Sequence, residues 1–170
     1  LDSRQGAMSI DANFKHIRPP GQFGAEYLTY VLWAISPDGI PKNLGEVLLD
    51  GGKSNLKVTT GLQVFGLIVT AEPYFSVTQP SDVVVMENEV RPDTLGKFEV
   101  IDAKYELLQR GQYQPLSNPL NLTPDPKVPI ELYEARNAVQ IAHGEGADKY
   151  ATDTFQKAVS NLQQAENYLR

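Results

Sequence analysis

The chain has no cysteine, so disulfides, thiolate metal sites and cysteine nucleophiles are excluded. It has two histidines, His16 and His143, which rules out a three-histidine zinc site and leaves few His-based catalytic sets. Positive charge is also scarce: 15 Lys and Arg stand against 21 Asp and Glu, a net charge of -6. A nucleic-acid surface needs clustered positive charge, so that class of partner is not expected. The longest apolar runs, Tyr27–Ile35 and Val64–Val69, fall far short of the roughly 20 residues of a membrane helix. The first ten residues contain no apolar stretch of signal-peptide length, and a start at Leu1 reads as a processed chain or a fragment. With 41% hydrophobic and 21% charged residues over 170 positions, the composition is that of a folded chain. At this size it buries roughly 70% of its unfolded surface and needs no metal or disulfide to hold a core.

The chain divides where its hydrophobic rhythm changes. Residues 1–23 read as an extended N-terminal arm, and residues 24–110 as short strands separated by strong turns. Tyr27–Ile35 is β-branched, aromatic and uncharged, and is stopped by Ser36-Pro37-Asp38-Gly39. Leu44–Leu49 runs into Asp50-Gly51-Gly52, a hairpin signal. Ser54–Thr60 alternates, with Leu56 and Val58 on one face and Asn55, Lys57 and Thr59 on the other. Leu62–Ala71 is apolar on both faces, Val83–Val90 sets Val84, Met86 and Val90 opposite Glu87 and Glu89, and Phe98–Leu108 groups Ile101, Ala103, Tyr105 and Leu107. Strands at this spacing without a helical period predict an Ig-like antiparallel β-sandwich. The two doubly apolar strands, 27–35 and 62–71, are its expected sheet centres. Their outer face needs a cover, either the arm or the C-terminal helices.

Residues 111–129 hold five prolines and no periodicity, the pattern of a linker. Residues 130–170 then take a helical period and predict an antiparallel helical hairpin. Its first helix carries Ile130, Tyr133, Ala135, Ala138, Val139, Ile141 and Ala142 and stops at Gly144, with His143 in the last turn. The second carries Phe155, Ala158, Val159, Leu162, Ala165 and Leu169, with Asp148 or Thr152 as its expected cap. Two helices bury one seam only, so the sandwich or a second copy of the chain is expected to complete it.

Few motifs point to chemistry. Gly51-Gly52-Lys53-Ser54 lacks the first glycine of a phosphate-binding loop, since position 47 is Val, and a strand follows it rather than a helix. Gly144 and Gly146 lack the third glycine of a dinucleotide fingerprint and lie between helices. No Gly-x-Ser-x-Gly elbow is present. Glu87 and Glu89, ~7 Å apart along one strand face, could serve a hydrolase, but a solvated sheet face is the default reading. Asn121-Leu122-Thr123 matches a glycosylation sequon, a pattern that arises readily by chance. Trp33 falls in the most apolar strand and is assigned to the core, while Tyr74-Phe75, after Pro73, is the better exposed aromatic pair.

Two stretches resemble known families. Tyr30-Val31-Leu32-Trp33, Pro37-Asp38-Gly39, Asn43-Leu44-Gly45 and Phe65–Pro73 resemble the extracytoplasmic β-domain of anti-sigma-K-type factors, departing from it at Tyr74-Phe75-Ser76. Leu132–Ala138, Gly146–Ala151, Phe155–Ala158 and Ala165-Glu166 are similar to an uncharacterised helical-hairpin family of bacterial envelope proteins, found next to OmpA-like peptidoglycan-binding domains. Together these resemblances imply a periplasmic or outer-membrane-associated module, a fragment of a larger OmpA-family-like protein, and the lack of a nucleophile–base pair leads us to expect that it binds a protein or the cell wall without catalysis or cofactor. The expected contact residues are Tyr74, Phe75, Phe155, Val159 and Leu162, with self-association through the helices. A carbohydrate-binding sandwich is the alternative, and a hydrolase built on Glu87 and Glu89 a weaker one.

Overall fold

The computed structural model describes residues 6–93, 100, 104, 106, 107, 125 and 127–169. Most of the expected strand at 98–108, most of the linker at 111–129 and the sequon at Asn121 lie outside the described residues. The fold is β followed by α, as the periodicity predicts: among the described residues, six strands in two antiparallel sheets, then a helical region. β1 (Met8–Phe14) pairs with β4 (Ser54–Thr60) in a two-stranded ribbon. β2 (Thr29–Ile35), β3 (Pro41–Glu46), β5 (Gly66–Glu72) and β6 (Val84–Glu87) form a four-stranded sheet in the order β3-β2-β5-β6.

β2 is buried at every position, which suits its β-branched and aromatic sequence. Its side chains alternate between two cores. Tyr30 and Leu32, with Val69 and Ala71 of β5, face the ribbon, where Ala12, Phe14, Leu56 and Val58 meet them. Val31, Trp33 and Ile35, with Ile68, face the other way and pack against Val77, Tyr74 and Val84. Each large side chain so enclosed contributes about 1.5–3 kcal/mol of burial free energy.

Two expectations change here. The N-terminal arm contains a strand, because Met8, Ile10, Ala12 and Phe14 alternate and supply β4 with its hydrogen-bonding partner. The outer face of the central strands is packed mainly by the chain that follows β5, with the helical region reaching its edge where Glu134 abuts Glu46 beside Thr29. The segment after β5 is held by Asn43, whose Nδ2 donates to the carbonyls of Phe75 at 2.8 Å and Val77 at 3.0 Å. It is also held by a buried network. Trp33 Nε1 donates to Thr70 Oγ1 at 2.8 Å, Thr70 Oγ1 donates to Glu72 Oε1, and the Ser81 amide donates to the same carboxylate oxygen at 2.8 Å.

The Asp50–Lys53 turn forms as expected, with Asp50 and Lys53 exchanging backbone hydrogen bonds of 2.8 and 3.0 Å. Gly51 and Gly52 occupy the left-handed region, φ 55° and 78°. The strands it joins do not pair, however: β3 stays in the large sheet and β4 crosses to the ribbon.

The helical region comprises α1 (Ile130–Gly144), a single turn α2 (Ala147–Tyr150) and α3 (Thr152–Tyr168). α1 ends at Gly144, and Gly146 takes φ 81° as the chain reverses. The expected cap at Asp148 or Thr152 is not made. Ala151 holds the N-cap position of α3, and Thr152 Oγ1 instead donates to the Asp148 carbonyl at 2.8 Å. α1 buries Leu132, Tyr133, Glu134, Asn137 and Ile141, whereas α3 buries none of its residues. The sandwich therefore covers one helix only. Asn137 Nδ2 ties α1 down by donating to the carbonyls of Glu26 at 3.2 Å and Pro73 at 3.1 Å. Arg136 Nε donates to Glu166 Oε1 at 2.7 Å, a half-buried ion pair that joins α1 to α3.

Candidate functional site

The loop after β5 and the two long helices enclose a groove of about 720 Å³. Tyr74, Phe75 and Ser76 form one wall. Leu132, Ala135, Ala138 and Val139 of α1, with Ala158, Leu162 and Ala165 of α3 and Leu169 just after it, form most of the remaining apolar lining. The alanines let the helix axes approach while leaving a trough between them. Pro73 ends β5, and the Asn43 bonds fix the backbone from Phe75 to Val77, so the aromatic wall rests on a rigid support.

Of the five expected contact residues, the groove brings together Tyr74, Phe75 and Leu162 from distant parts of the chain. Phe75 is 44% exposed. Tyr74 is half-buried, and burial first and the Glu72 carboxylate second push its hydroxyl above the usual tyrosine range. Phe155 and Val159 are half-buried on α3 and do not line the groove; the Phe155 ring lies 5.8 Å from that of His143. Trp33 is fully buried, as assigned.

Sequence reasoning missed Glu134 and Asn137. Glu134 is 2% exposed, and both its oxygens are closed to solvent, with the Glu46 carboxyl and the Phe75 backbone beside them. Burial, followed by the negative charge and side chain of Glu46 and then by Glu131, pushes its carboxyl up to about 9, with the Phe75 backbone pulling weakly the other way. Glu46 accepts from Thr29 Oγ1 at 2.7 Å. A proton on Glu134 gives the pair a donor directed at Glu46, and two abutting carboxyls hold such a proton because both cannot ionise cheaply. The signal that could have found it was its position: Leu132, Tyr133, Asn137 and Ile141 surround it on the buried face of α1.

A second cleft of about 670 Å³ lies between residues 17–30 and 46–52, lined mainly by Ile17, Tyr27, Tyr30, Val47 and Leu49. It has a single carboxylate, Glu46, at its edge. Glu87 ends β6 and Glu89 follows it; both are exposed, and neither lines either cavity. His16 is exposed and takes φ 61° just before Ile17, whose amide donates to the Gly52 carbonyl at 3.0 Å. Among the described residues no three metal-ligating side chains cluster, and no helix is long and apolar enough to cross a membrane.

Comparison with family models, with curated proteins and with solved structures gives no match to this chain.

Proposed function

We propose that this chain is a non-catalytic interaction module of the bacterial cell envelope and that it holds its partner in the groove between Tyr74-Phe75 and the helical pair. The observation that carries this reading is the convergence of Tyr74, Phe75 and Leu162 on one apolar trough. Apolar walls with few polar groups suit burial of an apolar partner surface. The envelope setting rests on the two family resemblances alone. A sugar ligand is less well served, because its hydroxyls need several polar partners and the groove supplies few beyond Ser76, Asn161, Glu131 and Glu134. The hydrolase reading has the least support, since Glu87 and Glu89 lie outside both cavities.

A photo-crosslinking amino acid placed at position 75, with position 150 as control, tests the proposal. Tyr150 is 88% exposed and lies outside the groove. Incubation with a bacterial envelope fraction is expected to give adducts at position 75 that disappear in Leu162→Asp, and none at position 150. Equal labelling at both positions, or adducts unaffected by Leu162→Asp, would refute it.

A further inference from the structure

The segment from Val47 to Gly52 arches along the second cleft and is pinned at both ends. The Val47 amide donates to the Tyr30 carbonyl at 2.8 Å, and the Gly52 carbonyl accepts from the Ile17 amide at 3.0 Å. The amides of Leu48, Leu49, Gly51 and Gly52, all residues of the cleft wall, find no acceptor among the described residues. Backbone donors in a folded chain are normally paired, so this wall has capacity to spare. The two ends of the arch differ in charge. Glu46 stands at the Val47 end, where it accepts from Thr29 Oγ1. Cations gather at the Gly52 end. Lys53 adjoins Gly52, and Arg18 adjoins the Ile17 that bonds to it. Lys15 and Lys53 both follow directly on the last pair of the ribbon, Phe14 opposite Ser54. His16, at φ 61°, turns the chain there, so that Ile17 enters the core and Arg18 is exposed. Lys15, Arg18 and Lys53 make no ion pair among the described residues, not even with Asp50 across the turn. In a chain of net charge -6, unpaired cations beside open amides at one end of an apolar cleft suit an anion with a hydrocarbon body.

We propose that this cleft binds a single-chain carboxylate, a hydrocarbon tail ending in one carboxyl group. The cleft is separate from the Tyr74-Phe75 groove, with which it shares no lining residue. Its volume of about 670 Å³ falls within the range of small-ligand pockets, roughly 300–1,000 Å³. The tail lies against Ile17, Tyr27, Val47 and Leu49. The head lies at the Gly51-Gly52 end, accepts from the open amides and pairs with Lys53 and Arg18. A Cβ at Gly51 would meet nothing within 4 Å, so the backbone there stands open to the head group. The reverse orientation sets the head against the Glu46 carboxyl, so the charge at the two ends fixes the direction of the ligand. A neutral alcohol of the same length keeps the tail contacts and loses the charged ones.

Titration of the full chain with octanoate and with octan-1-ol at about pH 7.5, where a free carboxyl is ionised, tests the inference. Binding is followed by the NMR shifts of the backbone amides. Octanoate is expected to bind about tenfold tighter than octanol, because its head makes charge-assisted hydrogen bonds. The amides of Leu49, Gly51 and Gly52 are expected to move most. Arg18→Gln combined with Lys53→Gln is expected to remove the preference and leave octanol binding in place. Both side chains are exposed, so the double variant keeps the fold, which its own amide spectrum checks. Equal affinity for acid and alcohol in the wild type overturns the inference, as does a preference that survives the double substitution. Shifts centred on Phe75 and Leu162 place the ligand in the groove and overturn it as well. So does a failure of both ligands to bind, an outcome that leaves the crosslinking test of the groove unaffected.

Discussion

The carboxyl of Glu134 makes stability depend on pH in an unusual direction. Its folded value of about 9 stands above the ordinary 4.5 of an unfolded glutamate. Below about 4.5 the group is protonated in both states and adds no slope. Between about 4.5 and 9 the folded chain keeps a proton that the unfolded chain has released, so rising pH favours unfolding. The slope is up to about 1.4 kcal/mol per pH unit, and above the folded value it vanishes. Glu134→Gln keeps the shape and a donor toward Glu46 but cannot ionise. From pH 5 to pH 8 the variant is expected to gain on the wild type by about 4 kcal/mol, some 8–16 °C in Tm for a chain of this size. Urea unfolding of both proteins at intervals of pH measures this directly, and the difference between them cancels every other titrating group. Parallel stability curves for the two proteins would show that Glu134 is ionised at neutral pH and that the paired-carboxyl reasoning is wrong.

Other parts of the structure give sharp expectations. Asn137→Ala strands the carbonyls of Glu26 and Pro73 and is expected to cost about 2–3 kcal/mol, with hydrogen exchange rising first in α1. Gly52→Ala places a Cβ 2.9 Å from the Ile17 carbonyl at φ 78° and is expected to destabilise by about 1–3 kcal/mol in urea unfolding; an unchanged midpoint would mean the turn relaxes freely. Trp33→Phe removes the donor to Thr70 from a fully buried site and is expected to cost about 2–3 kcal/mol. In the wild type this single tryptophan is expected to resist acrylamide quenching until the chain unfolds.

Where binary patterning was strong, the sequence was legible. The runs at 27–35 and 54–60 became β2 and β4, and Gly144 ended α1. Weak or mixed patterns misled. β1 carries Ser9, Asp11 and Asn13 on its outer face, and these poor strand formers hid the alternation of Ile10, Ala12 and Phe14. β3 begins at Pro41, earlier than its apolar residues suggest, because an edge strand tolerates proline at its start. At the site, the aromatic wall was visible because Pro73 breaks the strand before Tyr74-Phe75. Glu134 and Asn137 were not, because a polar residue on a helix reads as solvated unless its neighbours across the fold are known. Their burial is a tertiary fact: Asn137 is satisfied by two carbonyls from remote segments, and Glu134 faces an acid more than eighty positions away.

The ribbon of β1 and β4 carries one more consequence. Among the described residues β4 owes its one ladder partner to a segment near the start of the chain, with Met8 opposite Thr60 and Phe14 opposite Ser54. Clipping that segment turns β4 into a bare template whose amides and carbonyls face water over Leu56 and Val58. A trimmed molecule can then borrow the missing strand from its neighbour, so proteolysis at one terminus becomes a route to strand-exchanged polymers.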